Sequence, residues 1–353
     1  MTATFKQDKA PLPIIDFASF SVNAGDFEPV SLTTLVETQR IADTFYAACR
    51  DVGFAYLINT GIEDEDVQKM FEWSKKLFAL PLETKMKAKH PPEGWKHRGY
   101  STVGMEKVSE SLTLSPDRIS SHVPTHDLKE SFDMGSDAPT ARLENVWLPE
   151  EDLPGFRSAS CHFQSLCRTF QMTKLLPALA MGIPGVNDKA FFDGFHRTED
   201  NQLRLLRYPG GEAEVFGREG QDGRRCGAHT DFGTCTLLFQ DAVGGLEVED
   251  PHSPGTFVPV PPVPGAVVFN VGDLLMRWSN DTLRSTLHRV VAPSSVVGKG
   301  GRVPERYSIP YFMGPDAKAF VECLPGCSGP DRPVRYEGVS VEKYIDDRLN
   351  ATY

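Results

Sequence analysis

Gly227-Ala228-His229-Thr230-Asp231-Phe232 is the stretch from which the chain is read, and His288 follows 57 residues beyond Asp231, in Ser285-Thr286-Leu287-His288-Arg289-Val290-Val291. In an extended segment successive side chains alternate faces, so His229 and Asp231, two apart, point the same way. A second imidazole arriving from a distant strand completes two histidines and a carboxylate on one face of a metal. That donor set suits a redox-active ferrous ion with open coordination positions. His-x-Asp alone is a weak signal, and a histidine is often a satisfied core residue. The context favours a metal: Gly227 and Gly233 permit a tight approach to a strand, and His288 sits in an apolar run beside Leu287 and Val290. The gap has room for about four strands, which places the two pieces on neighbouring walls of a barrel.

The surrounding texture agrees. From residue 201 onward, short β-like runs are separated by Gly/Pro turns: Leu203–Tyr208, Thr234–Phe239, Leu246–Val248, Phe257–Val260, Ala266–Val271, Thr286–Val291 and Arg306–Phe312. Such spacing predicts a barrel or a double-sheet jelly roll. Upstream, Pro11–Phe17 reads as a short strand, Ser31–Arg50 as an amphipathic helix and Gly53–Asn59 as a buried strand. A second helix opens on the acidic run Glu63–Asp66 and ends near Pro81; a long one spans Leu153–Met181, kinked by Pro177 and closed by Gly182 and Pro184. Val341–Leu349 is a C-terminal helix. His90–Pro139 is too rich in Gly and Pro for any period and reads either as a lid or binding loop or as a disordered insert. The expected organisation is one compact unit, with an N-terminal region over 11–130 and a jelly-roll domain over 200–316.

With 37 basic and 48 acidic residues the net charge is −11, and no Lys/Arg cluster offsets it, which argues against a nucleic-acid surface. The N-terminus has no apolar signal-like core, and no run of 18 apolar residues occurs, so a cytoplasmic protein off the membrane is expected. No obligate protein partner is indicated. Seven scattered cysteines do not form a disulfide framework, and Cys323 with Cys327 is weak evidence for zinc.

Arg306-Tyr307-Ser308 supplies the next element. On a strand Arg306 and Ser308 share a face. A buried guanidinium needs an anion, and its planar fork matches a carboxylate, with Ser308 adding a bond. An internal salt bridge, for instance to Glu305, is the alternative.

Together these residues resemble the ferrous iron and 2-oxoglutarate-dependent dioxygenases of the isopenicillin-N-synthase-like group. The resemblance runs through Leu12-Pro-Ile-Ile-Asp-Phe17, Asp51-Val-Gly-Phe54, Leu128-Lys-Glu-Ser-Phe132, Leu205-Leu-Arg-Tyr-Pro209, His229-Thr-Asp231, Gly244-Gly-Leu-Glu-Val248, Asn270-Val-Gly-Asp273, His288-Arg-Val290 and Arg306-x-Ser308. Leu237–Asp241, Arg277–Asp281 and Arg348–Tyr353 are similar to fungal thymine-hydroxylase-like enzymes and their relatives in secondary metabolism. The resemblance implies a mainly β fold with flanking helices around a double-stranded β-helix. It implies that His229, Asp231 and His288 hold Fe(II), that Arg306 and Ser308 hold the distal carboxylate of 2-oxoglutarate, and that Tyr208 is a third contact. Many family members carry Asn where this chain has Leu206. The implied reaction consumes O2 and 2-oxoglutarate and oxidises a C–H bond of a small organic molecule, such as a heteroaromatic or polyketide-like compound. Hydroxylation is the expected outcome; desaturation, cyclisation or ring expansion are variants of it.

Alternation extends the reading to substrate. Arg204, four positions before Tyr208 on one strand, faces the same cavity and is expected to meet a carboxylate, enolate, carbonyl or imide-like group of the substrate, or else a buried protein acid. Phe232 and Phe312 are apolar walls or ordinary core aromatics. His90, His97, His122 and His126 are substrate contacts only if their region is a lid. The competing functions are a thymine or pyrimidine methyl hydroxylase, an oxidase or cyclase that needs no 2-oxoglutarate, a catalytically silent binding protein, and a zinc hydrolase.

Overall fold

The computed structural model describes residues 11–21, 32–108, 127–139, 141–212, 224–293 and 301–352. The strands, in chain order, are β1 (Ile14–Asp16), β2 (Phe54–Ile58), β3 (Gly99–Ser101), β4 (Glu130–Met134), β5 (Gln202–Tyr208), β6 (Gly211–Glu212), β7 (Arg224–His229), β8 (Cys235–Gln240), β9 (Leu246–Glu249), β10 (Phe257–Pro259), β11 (Ala266–Val271), β12 (His288–Val291), β13 (Arg302–Val303), β14 (Arg306–Met313), β15 (Phe320–Val321) and β16 (Val339–Ser340). Eight of them form a sheet in the order β1-β2-β11-β8-β14-β5-β4-β3, and four form a second sheet in the order β10-β9-β12-β7. This is the expected jelly roll. It is two sheets and not a closed barrel.

Alternation divides the large sheet into two faces. Leu203, Leu205, Cys235, Leu237, Phe239, Val267, Phe269, Val271, Tyr307, Ile309 and Tyr311 all belong to one apolar core, shared with the helices. Their neighbours in sequence, Leu206, Tyr208, Thr236, Asn270, Arg306 and Ser308, line a cavity on the opposite face. The period of two thus sends one set of side chains to the helices and the other into the roll, where these site residues lie beside a second apolar cluster that includes Phe54, Tyr56, Leu246, Val248 and Val268.

The helices, in chain order, are α1 (Leu32–Asp51), α2 (Asp64–Ala79), α3 (Leu82–Lys85), α4 (Phe156–Phe170), α5 (Leu176–Gly182), α6 (Asp273–Trp278) and α7 (Val341–Asn350), and α1, α2, α4 and α5 bury their apolar residues in the core on the outer face. The predicted kink at Pro177 takes a specific form. Residues Gln171–Leu175 make a π-helical turn in which the Leu176 N–H donates to Gln171 O, and α5 starts with proline in its first turn. Widening the turn accommodates a residue that has no N–H to give and would crowd the carbonyl four residues back. Helix α2 stops at Ala79 with Pro81 just beyond it, as expected, and Pro81 takes the N-cap position of α3.

Two sequence expectations are corrected. His90–Pro139 is not a lid throughout: Gly99–Ser101 and Glu130–Met134 are paired strands that extend the large sheet beyond β5. His122 and His126 lie outside the described residues. Asp231 is not on a strand, because β7 stops at His229; it sits on the following loop, held where the Asp273 and Leu274 N–H groups of α6 donate to the carbonyls of Asp231 and Phe232 at 2.7 and 3.1 Å.

A buried histidine ties the outer layer to this loop. His196 is 1% exposed; its Nδ1–H donates to the Phe192 carbonyl at 2.8 Å, so Nε2 must accept from the Thr234 hydroxyl at 3.3 Å. Burial pushes its pKa from 6.5 down to about 4. Because the folded value is depressed, the unfolded chain takes the proton first, and stability present above pH 6.5 drains away as pH falls toward 4. Urea titrations at pH 7.5 and 4.5 should show about 2–3 kcal/mol more acid loss in the native chain than in His196→Asn.

Candidate active site

His229 and His288 are directly opposed across the antiparallel pair β7–β12, and His288 also faces Val248 of β9. The two imidazoles therefore come from adjacent strands of one sheet, not from neighbouring walls as expected. Asp231 Oδ1 lies 4.0 Å from His229 Nε2 and 3.7 Å from His288 Nε2. Among the described residues this is the group of His, Cys, Asp and Glu side chains whose ligand atoms converge, all within 4.8 Å of one another.

The partners of these groups fix which atoms are presented. His229 Nδ1–H donates to the Gly227 carbonyl at 2.8 Å and His288 Nδ1–H to the Thr286 carbonyl at 3.2 Å. A carbonyl can only accept, so Nδ1 carries a proton in both rings and Nε2 is the atom each histidine turns toward the common point to offer a metal. Asp231 Oδ2 accepts from Thr236 Oγ1 at 2.5 Å and Asn270 Nδ2 at 2.7 Å, leaving Oδ1 for a metal. Burial, then repulsion by His288, depresses the His229 pKa to about 3; burial works to raise that of Asp231, but His288 and His229, with the bonds from Asn270 and Thr236, hold it below the ordinary carboxylate range. A neutral His229 beside an ionised carboxylate suits a divalent cation. The donor set fits Fe(II) with open positions.

Two cavities flank this triad and share His229, Asp231, Arg204, Val108 and Phe312 as walls. The first runs to Arg306, Ser308 and Tyr208. Register pairs Arg306 with Tyr208 and Ser308 with Leu206 across β14–β5. Arg306 is 0% exposed, donates from Nη1 to Ser308 Oγ at 3.1 Å, and lies over the Tyr208 ring at 5.0 Å. Among the described residues its Nε has no partner and its only other acceptor is Gln240 Oε1 at 3.4 Å. Glu305, the alternative partner, is committed to Arg207 at 3.1 Å, and Arg306 meets no carboxylate among the described residues. Arg225, also buried, has its pKa pushed down to about 10, first by burial and then by the charge of Arg306. A buried guanidinium with an orphaned donor and a second cation behind it is a site built for an anion. Leu206 lines the same cavity, so no amide side chain stands there.

The second cavity carries Phe232 and Phe312 as expected, with Val341, Ile345 and Leu349 of α7 as further apolar wall. Arg204 faces it too, and its guanidinium meets buried protein acids, the alternative that the sequence left open. Nε pairs with Asp133 at 2.5 Å, Nη1 with Glu106 at 3.0 Å, and Nη2 donates to His97 Nδ1 at 2.8 Å. Glu106 is shared with Lys129 at 2.9 Å, and Lys129 reaches Asp127 at 2.5 Å. Asp127 Oδ1 in turn accepts from the Gly227 N–H at 3.0 Å, the residue whose carbonyl orients His229. A buried chain of charges thus joins the substrate-side wall to the strand that carries a metal ligand.

The other expected residues are dispersed. His90 packs edge-on against His97 at 5.7 Å and walls neither cavity; His162 and His252 are at the surface. All seven cysteines are free. Sequence reading missed Thr236, Asn270, Lys129, Glu106, Asp127 and Asp133. Alternation along β8 and β11 contained the signal for the first two.

Comparison with known proteins agrees with this arrangement. Residues 12–150 match the family described as non-haem dioxygenase in morphine synthesis N-terminal, and residues 200–315 match the 2OG-Fe(II) oxygenase superfamily. The 2-oxoglutarate-dependent dioxygenase frbA of a Dothideomycetidae species is 37% identical over 340 residues, which cover 94% of this chain and 97% of that protein. The proline hydroxylase buaE of Petromyces alliaceus is 40% identical, over 87% of this chain and 92% of its own. The crystal structure of the full-length Neurospora crassa thymine hydroxylase in complex with alpha-KG and 5-formyluracil has a TM-score of 0.79 and 36% identity, covering 99% of this chain and 98% of that one. No helix among the described residues is long and apolar enough to cross a membrane. The chain belongs to the 2OG-Fe(II) oxygenase superfamily and is a 2-oxoglutarate-dependent dioxygenase, with Fe(II), 2-oxoglutarate and O2 as its cofactor set.

Proposed function

We propose that His229, Asp231 and His288 hold the ferrous ion, that Arg306, Ser308 and Tyr208 receive the distal carboxylate of 2-oxoglutarate, and that a small organic molecule bound against Phe232 and Phe312 is hydroxylated. The observation that carries this reading is Arg306: fully buried, without a carboxylate among the described residues, in a cavity that also contains the triad. When bound, the iron and its cosubstrate supply an oxidant able to remove hydrogen from an unactivated C–H bond. The balance is substrate, O2 and 2-oxoglutarate giving hydroxylated substrate, succinate and CO2. The chain's own residues do the rest. Arg306 and Ser308 fix one end of the dicarboxylate, the Gly227 and Thr286 carbonyls hold the imidazoles in one tautomer, and the apolar walls of the second cavity exclude water.

The test is stoichiometric. O2 uptake and succinate release should both require Fe(II) and 2-oxoglutarate and proceed one to one with product; substrate-dependent O2 uptake without succinate would favour the 2-oxoglutarate-independent oxidase or cyclase. In Arg306→Gln the half-saturating 2-oxoglutarate concentration should rise about 30- to 100-fold, the loss of one charged two-pronged contact. Pyrimidine methyl hydroxylation is a second reading, supported by likeness to the Neurospora crassa thymine hydroxylase in complex with thymine, at 37% identity over 99% of this chain and a TM-score of 0.78. Thymine-dependent succinate release tests it. A role in secondary metabolism belongs to the same proposal.

A further inference from the structure

The charges around the second cavity restrict what it accepts. Among the described residues two arginines line it, and each is held by two protein carboxylates: Arg204 by Asp133 and Glu106, Arg142 by Asp346 at 2.5 Å and Glu342 at 3.3 Å. His97 adds no charge. Its Nδ1 accepts from a guanidinium, which can only donate, so the ring is neutral with its proton on Nε2. Burial, then the charge of Arg204, keeps it so, with a pKa well below the ordinary histidine range.

Among the described residues, two acceptors are left facing the cavity, one on Asp200 and one on Gln202. Asp200 lines the cavity and forms no ion pair among the described residues; its Oδ2 accepts from the Ala317 N–H at 2.9 Å and shares the Thr198 hydroxyl, at 2.8 Å, with Asp316 Oδ1 at 2.9 Å, leaving Oδ1. Gln202 donates its Nε2 to Asp133 Oδ1 at 2.5 Å, and since an ionised carboxylate only accepts, the amide orientation is fixed and Oε1 is the end left over. Gln202 and Arg204 lie two apart on β5, so this acceptor stands on the cavity face.

Resting on the dioxygenase reading above, we propose that the second cavity selects an uncharged or basic molecule that offers N–H or O–H donors to Asp200 and Gln202, and rejects carboxylates. An anionic substrate would meet guanidinium charges that protein carboxylates already balance, at Arg204 and Arg142, and would sit beside Asp200, an arrangement that discriminates by repulsion as well as by attraction. The apolar body of the ligand packs on Phe232, Phe312 and Ile345.

The experiment uses the full chain loaded with Fe(II) and 2-oxoglutarate under nitrogen. Calorimetry measures binding of probe pairs that share a ring and differ in charge: thymine and 5-carboxyuracil, nicotinamide and nicotinate, indole-3-carboxamide and indole-3-carboxylate. In pairs that bind, the neutral member should bind at least about ten-fold tighter, and Asp200→Asn should bring the two within about three-fold. Equal or tighter binding of the carboxylates by the native chain overturns the inference. Probe-free conversion of 2-oxoglutarate to succinate is read in an aerated aliquot of the same preparation. If that conversion persists while carboxylates win, only the selectivity inference falls; if it is absent, the dioxygenase reading falls with it.

Discussion

Asp231→Ala is expected to leave the purified chain with almost no bound iron and to lower succinate release by about 10³-fold or more. Removing a group that merely supports a metal ligand lowers affinity or activity 10- to 100-fold, and here the ligand atom itself goes. The substitution also strips the acceptor from Thr236 and Asn270, whose donors at 2.5 and 2.7 Å are then buried without a partner. That desolvation should cost about 1–3 kcal/mol of metal-free stability, read as a shifted urea midpoint. The two effects separate cleanly. Iron content is measured after dialysis against a stoichiometric ferrous salt, and stability is measured in chelator. An Asp231→Ala chain that keeps one iron per molecule would remove the triad from the proposal.

Lys129→Met should be the most destabilising single change at the buried charge chain. Lys129 is 4% exposed and neutralises both Glu106 and Asp127, themselves 3% and 2% exposed. Breaking such a pair from one side strands the opposite charge and typically costs about 3–5 kcal/mol. The pH profile carries a second signature. Burial works to raise the Glu106 pKa, but Arg204 and Lys129 hold it well below the ordinary carboxylate range. A depressed carboxylate stabilises the fold above its unfolded pKa and loses that contribution as pH falls through the folded value. Without Lys129 the folded value rises, so the acid limb of stability should begin at higher pH. A variant with unchanged urea midpoint and unchanged acid limb would show that these charges are solvated.

Much of the site was legible because strand alternation is local. Arg306 and Ser308, two apart on β14, could be assigned to one face without any fold, and Tyr208 and Arg204 likewise on β5. What alternation does not state is what arrives from elsewhere. The partners of Arg204 are 71 and 98 residues away in sequence, one on a five-residue strand and one in a segment without period. The same limit hid β3 and β4: β3 has three residues and opens on Gly99 at φ +80°, and no window of that length displays a period. Strand β7 was visible only as a motif, since Arg224-Arg225-Cys226-Gly227-Ala228-His229 lacks the β-branched and aromatic residues that mark strands. Helix α6, with six residues, is likewise too short to announce itself by hydrophobic spacing.

The position of β14 in the large sheet has a bearing on synthesis. It lies between β5 and β8, yet it leaves the ribosome after both. At about 5–20 residues per second, the stretch from Tyr208 to Met313 takes on the order of 10 s, during which β5 and β8 each present an open edge where their shared neighbour belongs. The strand that fills that slot carries Arg306 and Ser308. Completion of the sheet and completion of the anion site are therefore one event in the life of each new chain, and a nascent polypeptide cut short before residue 306 has neither.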